Sequence, residues 1–543
     1  MLYFIPAWYQ QNKWSENEQS WLERRRHSEF DDTVKQIQLF HRSKACQYRI
    51  VLLSYTPNLR HFLHRQSIYR APYWSCFDAI QEIKRKKTAV LSFHQLKWPD
   101  GIEFTYLPLV VIAMLGKEKY AQIDFGEDGN LIRVDLYKGE KICRRNLYDD
   151  RGFLSSTVLY ENEQPIYQDY LMENGAWKLR HFLQDGHVEI NPKYPKYLLQ
   201  YQYEEEERQF SRLRYDDIAQ VICEVFLFYL SLTKDVDVFC VAMHKQHTRL
   251  LVSVLKDKKL ILSFFNGRDL NIAHTEVRRM VKNADYVIVD SEGTIKKFKK
   301  IFKDSMKKCI AIPPYDTRED SGLSLQVNVQ KILVVIDDME GEGFGELISL
   351  LGKYLLVNEN ARVHLLTRRT DYDTKEKILE QVRKELSKAG MLEQWAGDDK
   401  KEVAENNLNL EEPVPEKFFV EQCVDELSVS KCMREQRLFV DLRETPELYT
   451  QITAISIGIP QIVRTQTEFV ADGLNGKVLK NIYMLPKALH YYLNGLKNWN
   501  QARIHSYELV KEYTTDKLLE KWKEVMDSVG EDSYFAVGEK ELE

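Results

Sequence analysis

The sequence LFVDL at residues 438–442 opens the stretch that decides the fold of this chain. This short apolar run is rich in β-forming residues and predicts a buried strand. Pro446 suits the first turn of a following helix, where the missing N–H has no partner to lose. Gly458 suits the end of that helix, because glycine readily adopts positive φ. Residues 459–463 (IPQIV) predict a second buried strand, so the stretch reads strand, helix, strand.

A regular pattern of glycine, proline and acidic residues continues from this point. It resembles the signature of retaining glycosyltransferases with the GT-B architecture of two Rossmann-type domains, and it consists here of Gly458, Pro460, Val463, Glu468, Val470, Gly473 and Gly476. In that family two glutamates, which bind the ribose and the donor sugar, precede the glycine. Counting back from Gly458 places these positions on Thr445 and Thr453. Glu444 and Glu447 lie out of register, and one residue of slip turns a helical side chain by about 100°.

The resemblance also implies a phosphate-binding loop after the first strand of the second domain, commonly Gly-Arg with a lysine a few residues on. Here the predicted strand at residues 331–336 is followed by DDMEGEG at residues 337–343. Two like charges ~5 Å apart repel by roughly 3 kcal/mol at an effective dielectric near 20, so four carboxylates oppose a diphosphate. Two alternatives stay open: the acids point outward, or residues 341–345 hold a ligand with a metal. We expect no catalytic residue, cofactor or metal ligand.

Composition sets the class of protein. A chain of 543 residues predicts two to four domains. The net charge of −5 gives no general electrostatic attraction for nucleic acid. The cysteines form no C-x-x-C pair and several lie in apolar runs, which predicts reduced, buried thiols in a cytosolic protein. We find no signal peptide and no apolar run near the ~20 residues of a membrane-spanning helix, so we expect no integral membrane segment.

The domain order follows from a change in the sequence pattern along the chain. Turn signals (EDGN, KGE, ENG and QDG) between alternating runs predict an antiparallel β domain inserted into the first Rossmann-type domain. One face of that sheet is expected to be covered, or some strands serve as a platform for a partner. The predicted domains are residues 1–98 with 204–315, the insertion 99–203, the second Rossmann-like domain 316–495, a C-terminal helix 496–530 that returns to the first domain, and a tail 531–543.

Local patterns predict further elements. Helices are expected at Glu16–Arg24, Phe30–Leu39, Cys76–Lys84 and His505–Met526, and a strand at Thr88–Phe93. The acidic run at residues 204–207 is typical of an exposed helix start, with a contact site as the alternative. The aromatic segment Trp8–Trp14 forms the lip of a cleft or packs beneath a helix, and both interpretations stay open.

Loops that follow parallel strands carry the candidate ligand contacts, because α/β folds bind ligands at that edge. His244, His247 and Arg249 follow one predicted strand, and Asn266 and Arg268 follow the next. A lone histidine in a loop is more often structural, whereas the neighbouring arginines favour a ligand. The candidate contacts for the cleft or for a glycan are His244, Arg249, Asn266, Arg268 and Glu468.

The whole chain resembles the first accessory Sec proteins of Gram-positive cocci, which are GT-B-like and lack catalytic residues. The resemblance is carried by the start MLYFIPAWY, by SFFNGR at residues 263–268, by the inserted hairpins and by the signature without its glutamates. It implies a cytoplasmic factor, peripheral at the membrane through an export complex, that is needed to secrete glycosylated serine-rich-repeat adhesins. The implied partners are the second and third accessory Sec proteins, an accessory SecA motor ATPase with a dedicated SecY channel, and the adhesin.

Three functions follow from this comparison. We expect a non-catalytic glycosyltransferase-like subunit that binds partner proteins or the glycosylated substrate. The alternative is an active retaining glycosyltransferase that modifies the same adhesin. A structural scaffold with an empty cleft is the third possibility, and the sequence does not separate it from the first.

Overall fold

The computed structural model describes residues 1–10, 13–15, 31–126, 128–201, 204–265, 268, 270–303, 306–317, 321–339, 341–369, 371, 373–397 and 415–530. The helix predicted at Glu16–Arg24, the candidate Asn266 and the tail 531–543 lie outside the described residues. Over the described ranges, the chain builds two parallel sheets, one large antiparallel sheet and a two-stranded ribbon.

The first parallel sheet begins at the N-terminus. Its opening segment contains β1 (Leu2–Ile5), α1 (Asp32–Ser43), β2 (Tyr48–Leu52), α2 (Leu59–Arg65), β3 (Tyr73–Ser75) and α3 (Cys76–Gln81). Helix α1 starts where Asp31 accepts a hydrogen bond from the Val34 N–H at 3.1 Å. The strand predicted at Thr88–Phe93 is wrong: residues 83–92 form a loop without strand pairing, and Phe93–Gln95 is a single 3₁₀ turn capped by Ser92.

The inserted antiparallel sheet follows in meander order. Its strands are β4 (Ile102–Tyr106), β5 (Val110–Leu115), β6 (Glu118–Phe125), β7 (Leu131–Lys138), β8 (Lys141–Asp149), β9 (Phe153–Glu161), β10 (Gln164–Leu171), β11 (Trp177–Phe182) and β12 (Val188–Ile190). Each neighbour in the chain is a neighbour in the sheet. Gly129, Gly139, Gly175 and Gly186, the glycines of the predicted turns, all have positive φ, which confirms the hairpin interpretation.

A ribbon of β13 (Lys196–Tyr201) and β14 (Glu204–Gln209) comes next, and β15 (Arg214–Tyr215) returns to pair with β12. The helix start predicted at residues 204–207 is therefore wrong. Cations pair with three of the four acids of β14: Arg208 of the same strand pairs with Glu206 at 2.7 Å, and from outside the strand Lys196 pairs with Glu207 at 3.0 Å and Lys84 with Glu205 at 2.8 Å. These ion pairs with residues outside β14 favour the extended chain over the helix that the charge pattern suggested.

The chain then returns to complete the first sheet. This segment contains α4 (Ile218–Ser231), β16 (Val238–Ala242), α5 (Lys245–Val254), β17 (Lys259–Phe264), α6 (Thr275–Asn283), β18 (Tyr286–Val289), α7 (Glu292–Phe302) and β19 (Cys309–Ala311). The sheet order is β19-β18-β17-β16-β1-β2-β3, all parallel. Strand β1 thus lies between the two segments, with Leu2 opposite both Val238 and Tyr48.

The second parallel sheet contains the stretch that opened the sequence analysis. Its elements are β20 (Gln330–Val335), α8 (Gly341–Val357), β21 (Ala361–Thr367), α9 (Thr374–Lys388), β22 (Phe418–Gln422), α10 (Glu426–Arg434), β23 (Leu438–Asp441), α11 (Leu448–Ile457), β24 (Gln461–Val463), β25 (Gly476–Val478) and α12 (Leu485–Leu493). The order is β22-β21-β20-β23-β24-β25. The predicted strand–helix–strand is confirmed, although Pro446 precedes the capping residue Glu447 and is not in the first turn.

Two helices end the described chain, α13 (Lys497–Val510) and α14 (Thr515–Val529). The single helix predicted at His505–Met526 is wrong, because a 3₁₀ turn at Lys511–Tyr513 interrupts it and Thr514 caps a new helix. Helix α14 packs on the first sheet: the Trp522 ring lies 5.2 Å from that of Phe40 and 6.3 Å from that of Phe4. Among the described helices, none has the length and apolar character needed to cross a bilayer.

Candidate functional site

The carboxyl ends of the two parallel sheets approach each other, and contacts cross between the domains at several points. Glu468, in the loop after β24, accepts a hydrogen bond from the Glu292 N–H at 2.9 Å. This places a carboxylate at the N-terminus of α7, where the helix dipole favours negative charge. Burial is the main cause that raises the pKa of Glu468, and the neighbouring N–H groups partly offset it. The candidate Glu468 therefore bridges the two domains.

A second bridge joins α1 of the first domain to α10 of the second. Lys35 forms an ion pair with Glu426, and its ammonium lies 5.9 Å from the centre of the Tyr315 ring. Tyr315 is itself buried and packs on Tyr449 of α11 with ring centres 5.0 Å apart. Phe265, from the loop after β17, packs against the apolar core of the second domain. These contacts hold the two domains together at the cleft.

Arg268 is directed into the first domain. It forms an ion pair with Asp32 at the start of α1, its Nη2 lies 3.6 Å from a carboxylate oxygen of Asp31, and Nη1 donates to the Ser263 carbonyl at 3.3 Å. Its side chain is only 9% exposed, and burial lowers its pKa. Arg268 therefore ties the loop after β17 to α1.

The two histidines after β16 differ in their surroundings. His244 caps α5, accepting from the Gln246 N–H through Nδ1 at 3.1 Å. His247 is buried: its Nε2 donates to the Ala242 carbonyl at 2.8 Å, and its Nδ1 accepts from the Tyr9 hydroxyl at 2.9 Å. Burial, followed by the charge of His244, lowers the pKa of His247 to about 3. Arg249 is exposed on α5, two residues after the buried His247.

The aromatic segment at the end of β1 packs inward. Trp8 lies 4.8 Å from the Phe62 ring and donates its indole N–H to Asp31 at 3.2 Å. Tyr9 packs edge-on against Trp14, with ring centres 5.6 Å apart. Of the two interpretations left open by the sequence, the packed one holds for Trp8 and Tyr9.

The acidic loop after β20 divides into two parts. Asp337 accepts from the Thr367 hydroxyl at 2.7 Å and from the Arg368 N–H at 2.8 Å, so it anchors the loop after β21. Asp338 and Glu342 are exposed, which agrees with the alternative that the acids point outward, and Glu340 lies outside the described residues. Within the part of the chain that the structure describes, no three His, Cys, Asp or Glu side chains are grouped to hold a metal ion.

The sequence analysis missed two arginines at the carboxyl edge of the second parallel sheet. Arg368 donates to Glu447 at 2.6 Å and to the Cys423 carbonyl at 2.7 Å. Arg443 donates through two nitrogens to Asp441, at 2.9 and 2.8 Å. Both arginines closely follow the ends of strands β21 and β23, and that position was the available signal. Each cation is already paired with a carboxylate of its own sheet edge.

The positions of the missing glutamates are not equivalent. Thr445 is exposed in the loop before α11, whereas Thr453 is 2% exposed within a helix that is buried along its whole length.

The signature glycines have structural roles. Gly458 ends α11 at φ +82°, and a Cβ on Gly476 would lie 2.5 Å from the Gln461 carbonyl oxygen. The glycine frame of the signature therefore serves packing in this chain.

Comparison with known proteins agrees with this architecture. The pneumococcal O-GlcNAc transferase GtfA, solved in complex with UDP and GlcNAc, is 13% identical to this chain and superposes with a TM-score of 0.57. The match covers 97% of this chain and 98% of that one, and at this identity it shows the fold alone. The chain therefore has the α/β fold of GT-B glycosyltransferases, as predicted.

Closer relatives define the family. The family model for the first of the accessory Sec system proteins matches residues 1–529. The Streptococcus gordonii member of that family is 32% identical over 541 residues, covering 96% of this chain and 98% of that protein. In a crystal structure of accessory secretory proteins 1, 2 and 3 of Streptococcus pneumoniae, the matching chain is 29% identical with a TM-score of 0.79, covering 97% and 99% of the two chains. This chain belongs to the family of the first accessory Sec system protein, which confirms the resemblance.

Proposed function

We propose that the chain is a non-catalytic, glycosyltransferase-like subunit of the accessory Sec export machinery, required for secretion of glycosylated serine-rich-repeat adhesins. It acts by binding the second and third accessory Sec proteins, the accessory SecA motor ATPase and/or the glycosylated adhesin. It works in the cytoplasm and meets the membrane through the export complex. The Streptococcus pneumoniae relative was crystallised together with accessory secretory proteins 2 and 3, which supports the first two partners.

The pairing of Arg368 and Arg443 is the observation that carries the non-catalytic part of this proposal. A donor diphosphate needs cations at this edge of the second sheet. The two arginines are bound to Glu447 and Asp441 respectively, and Asp441 is fully buried. Removing the arginine from a buried carboxylate costs about 3–5 kcal/mol, which a donor phosphate would have to offset.

The first test is calorimetric titration of the purified full-length protein with UDP-GlcNAc, UDP-glucose and UDP, with and without divalent metal. We expect no binding at the interdomain cleft at millimolar ligand. The pneumococcal transferase GtfA, which was solved with UDP, is the positive control. Micromolar binding at the interdomain cleft would contradict the proposal and favour the active retaining glycosyltransferase instead.

The second test concerns export. In a strain lacking this protein, we expect the glycosylated adhesin to remain inside the cell, and copurification should recover the second and third accessory Sec proteins with the wild-type chain. Normal export in the deletion strain would refute the proposal. Binding of glycosylated but not unglycosylated adhesin would support a glycan contact, whereas equal affinity for both forms would favour the scaffold.

A further inference from the structure

A cavity of about 460 Å³ lies at the outer edge of the first sheet, far along the chain from the signature stretch. Edge strand β3, helix α3, the loop 82–87 and strand β13 of the ribbon surround it. Its size falls in the range of roughly 300–1,000 Å³ that is typical of small-molecule sites. We call it the basic pocket, after its cationic lining residues Arg49, Arg60, Arg70, Lys84, Arg85, Lys86 and Arg151.

Three of these cations are neutralised by nearby carboxylates. Arg151 forms hydrogen bonds to Asp78, the single acidic residue in the lining, at 2.8 and 2.9 Å. Arg85 pairs with Glu173 at 3.3 Å. Lys84 forms the exposed pair with Glu205 described above. These pairs account for less than half of the positive charge around the pocket.

The other four cations form no ion pair with a carboxylate of the described ranges: Arg49, Arg60, Arg70 and Lys86. The Arg60 guanidinium donates to the Lys86 carbonyl at 2.6 Å. Arg70 is exposed and lies 5.2 Å from the centre of the Tyr69 ring. The pocket therefore keeps a surplus of positive charge that an anion would balance.

Two residues that line the pocket carry buried donors without an acceptor. The Trp74 indole N–H and the Arg49 Nε–H are shielded from solvent, and neither has a hydrogen-bond partner among the described residues. Trp74 is 4% exposed and stands opposite Val51, two residues after Arg49, so it shares one sheet face with Arg49. A buried donor without an acceptor costs about 1–3 kcal/mol, which a ligand oxygen would recover.

We propose that the basic pocket binds a small soluble phosphate ester. Phosphate oxygens accept from the Trp74 and Arg49 donors, and Arg60 and Arg70 balance the charge. Of the aromatic side chains in the lining, Trp74 stacks on the buried Tyr229 with ring centres 4.0 Å apart, whereas Tyr69 is 57% exposed. The phosphate group is therefore the part of the ligand that the pocket recognises.

The proposal is tested by calorimetric titration of the full-length protein with pyrophosphate and with N-acetylglucosamine 1-phosphate. We expect both probes to bind. Trp74→Phe removes one hydrogen bond to the charged phosphate and should lower the affinity about tenfold, and Arg70→Glu should lower it by at least as much. Arg279→Glu, which reverses an equally exposed arginine on α6, is the matched control and should leave affinity unchanged. The absence of heat with either probe, or equal losses in Arg70→Glu and Arg279→Glu, would overturn the proposal.

Two further arms distinguish the basic pocket from a lipid-headgroup site and from the interdomain cleft. Phosphatidylglycerol vesicles replace the soluble probes in one arm, and binding to vesicles alone would overturn the assignment to a soluble ester. UDP is the probe in the other. If UDP releases heat on binding to the wild type but not to Arg70→Glu, the pocket is supported as an anion site. If Arg70→Glu still binds UDP, the binding belongs to the interdomain cleft and contradicts the proposed function instead.

Discussion

Restoring a glutamate at residue 453 tests whether packing has closed the donor-sugar position. Thr453 is 2% exposed, and all residues of α11 around it are buried. A glutamate there must stay neutral or bury its charge. Holding it neutral at about pH 7 against an ordinary pKa near 4.3 costs about 4 kcal/mol, and the larger side chain adds about 1–3 kcal/mol of strain. We expect Thr453→Glu to lower the free energy of unfolding by at least about 4 kcal/mol.

The pH dependence separates the charge from the strain. At about pH 5 the cost of neutralising the glutamate falls to about 1 kcal/mol, so about 3 kcal/mol of stability should return. Urea unfolding followed by circular dichroism at both pH values measures this. Thr453→Val, of similar volume, and Thr445→Glu, at an exposed position, are the controls. A stability loss below about 1 kcal/mol at neutral pH, or new binding of UDP-GlcNAc, would refute the reasoning.

Three other changes give independent expectations. Trp522→Ala should destabilise the protein by about 3–5 kcal/mol, because it removes the ring that packs α14 on the first sheet; urea unfolding with less than about 1 kcal/mol of change would contradict this. Gly476→Ala should cost more than Gly343→Ala in the same assay, because its Cβ would meet the Gln461 carbonyl oxygen at 2.5 Å, whereas Gly343 has open space and no positive φ; equal losses would contradict the packing role. The pKa of His247 falls from 6.5 in the unfolded chain to about 3 in the folded protein. Between these two pH values the unfolded chain binds one proton more than the folded protein. The free energy of unfolding should therefore drop by about 1.4 kcal/mol for each pH unit as the pH falls from about 6.5 to about 3. His247→Gln should flatten this slope in urea unfolding at several pH values, and an unchanged slope would show that His247 is not its source.

The sequence predicted the large parallel and antiparallel sheets because their signals are local. Apolar runs define the buried strands, and positive-φ glycines such as Gly129 and Gly458 mark turns and helix ends. The errors arose where a distant partner decides the outcome. The acids of β14 are extended because the strand pairs with β13 along its whole length, and exposed ion pairs such as that of Glu205 with Lys84 add to this pairing. Lys84 lies outside any sequence window around residues 204–207.

The site was harder to predict than the fold for the same reason. Glu468 was identified from its place in the signature, but its role depends on the Glu292 N–H, 176 residues away. Arg268 was placed in a ligand-binding loop, yet Asp32 draws it into the first domain. The arginines at positions 368 and 443 carried a visible signal after their strands, whereas their carboxylate partners became apparent only in three dimensions.

The packing of α14 has a consequence for how the chain is synthesised. The apolar face formed by Leu2, Phe4 and Ile50 is covered by Leu518, Trp522 and Val525, which the ribosome adds much later. The first domain therefore cannot finish folding until α14 has been translated, and an apolar surface stays open until then. A chain shortened before residue 515 should keep the sequences of both sheets yet aggregate through this uncovered face.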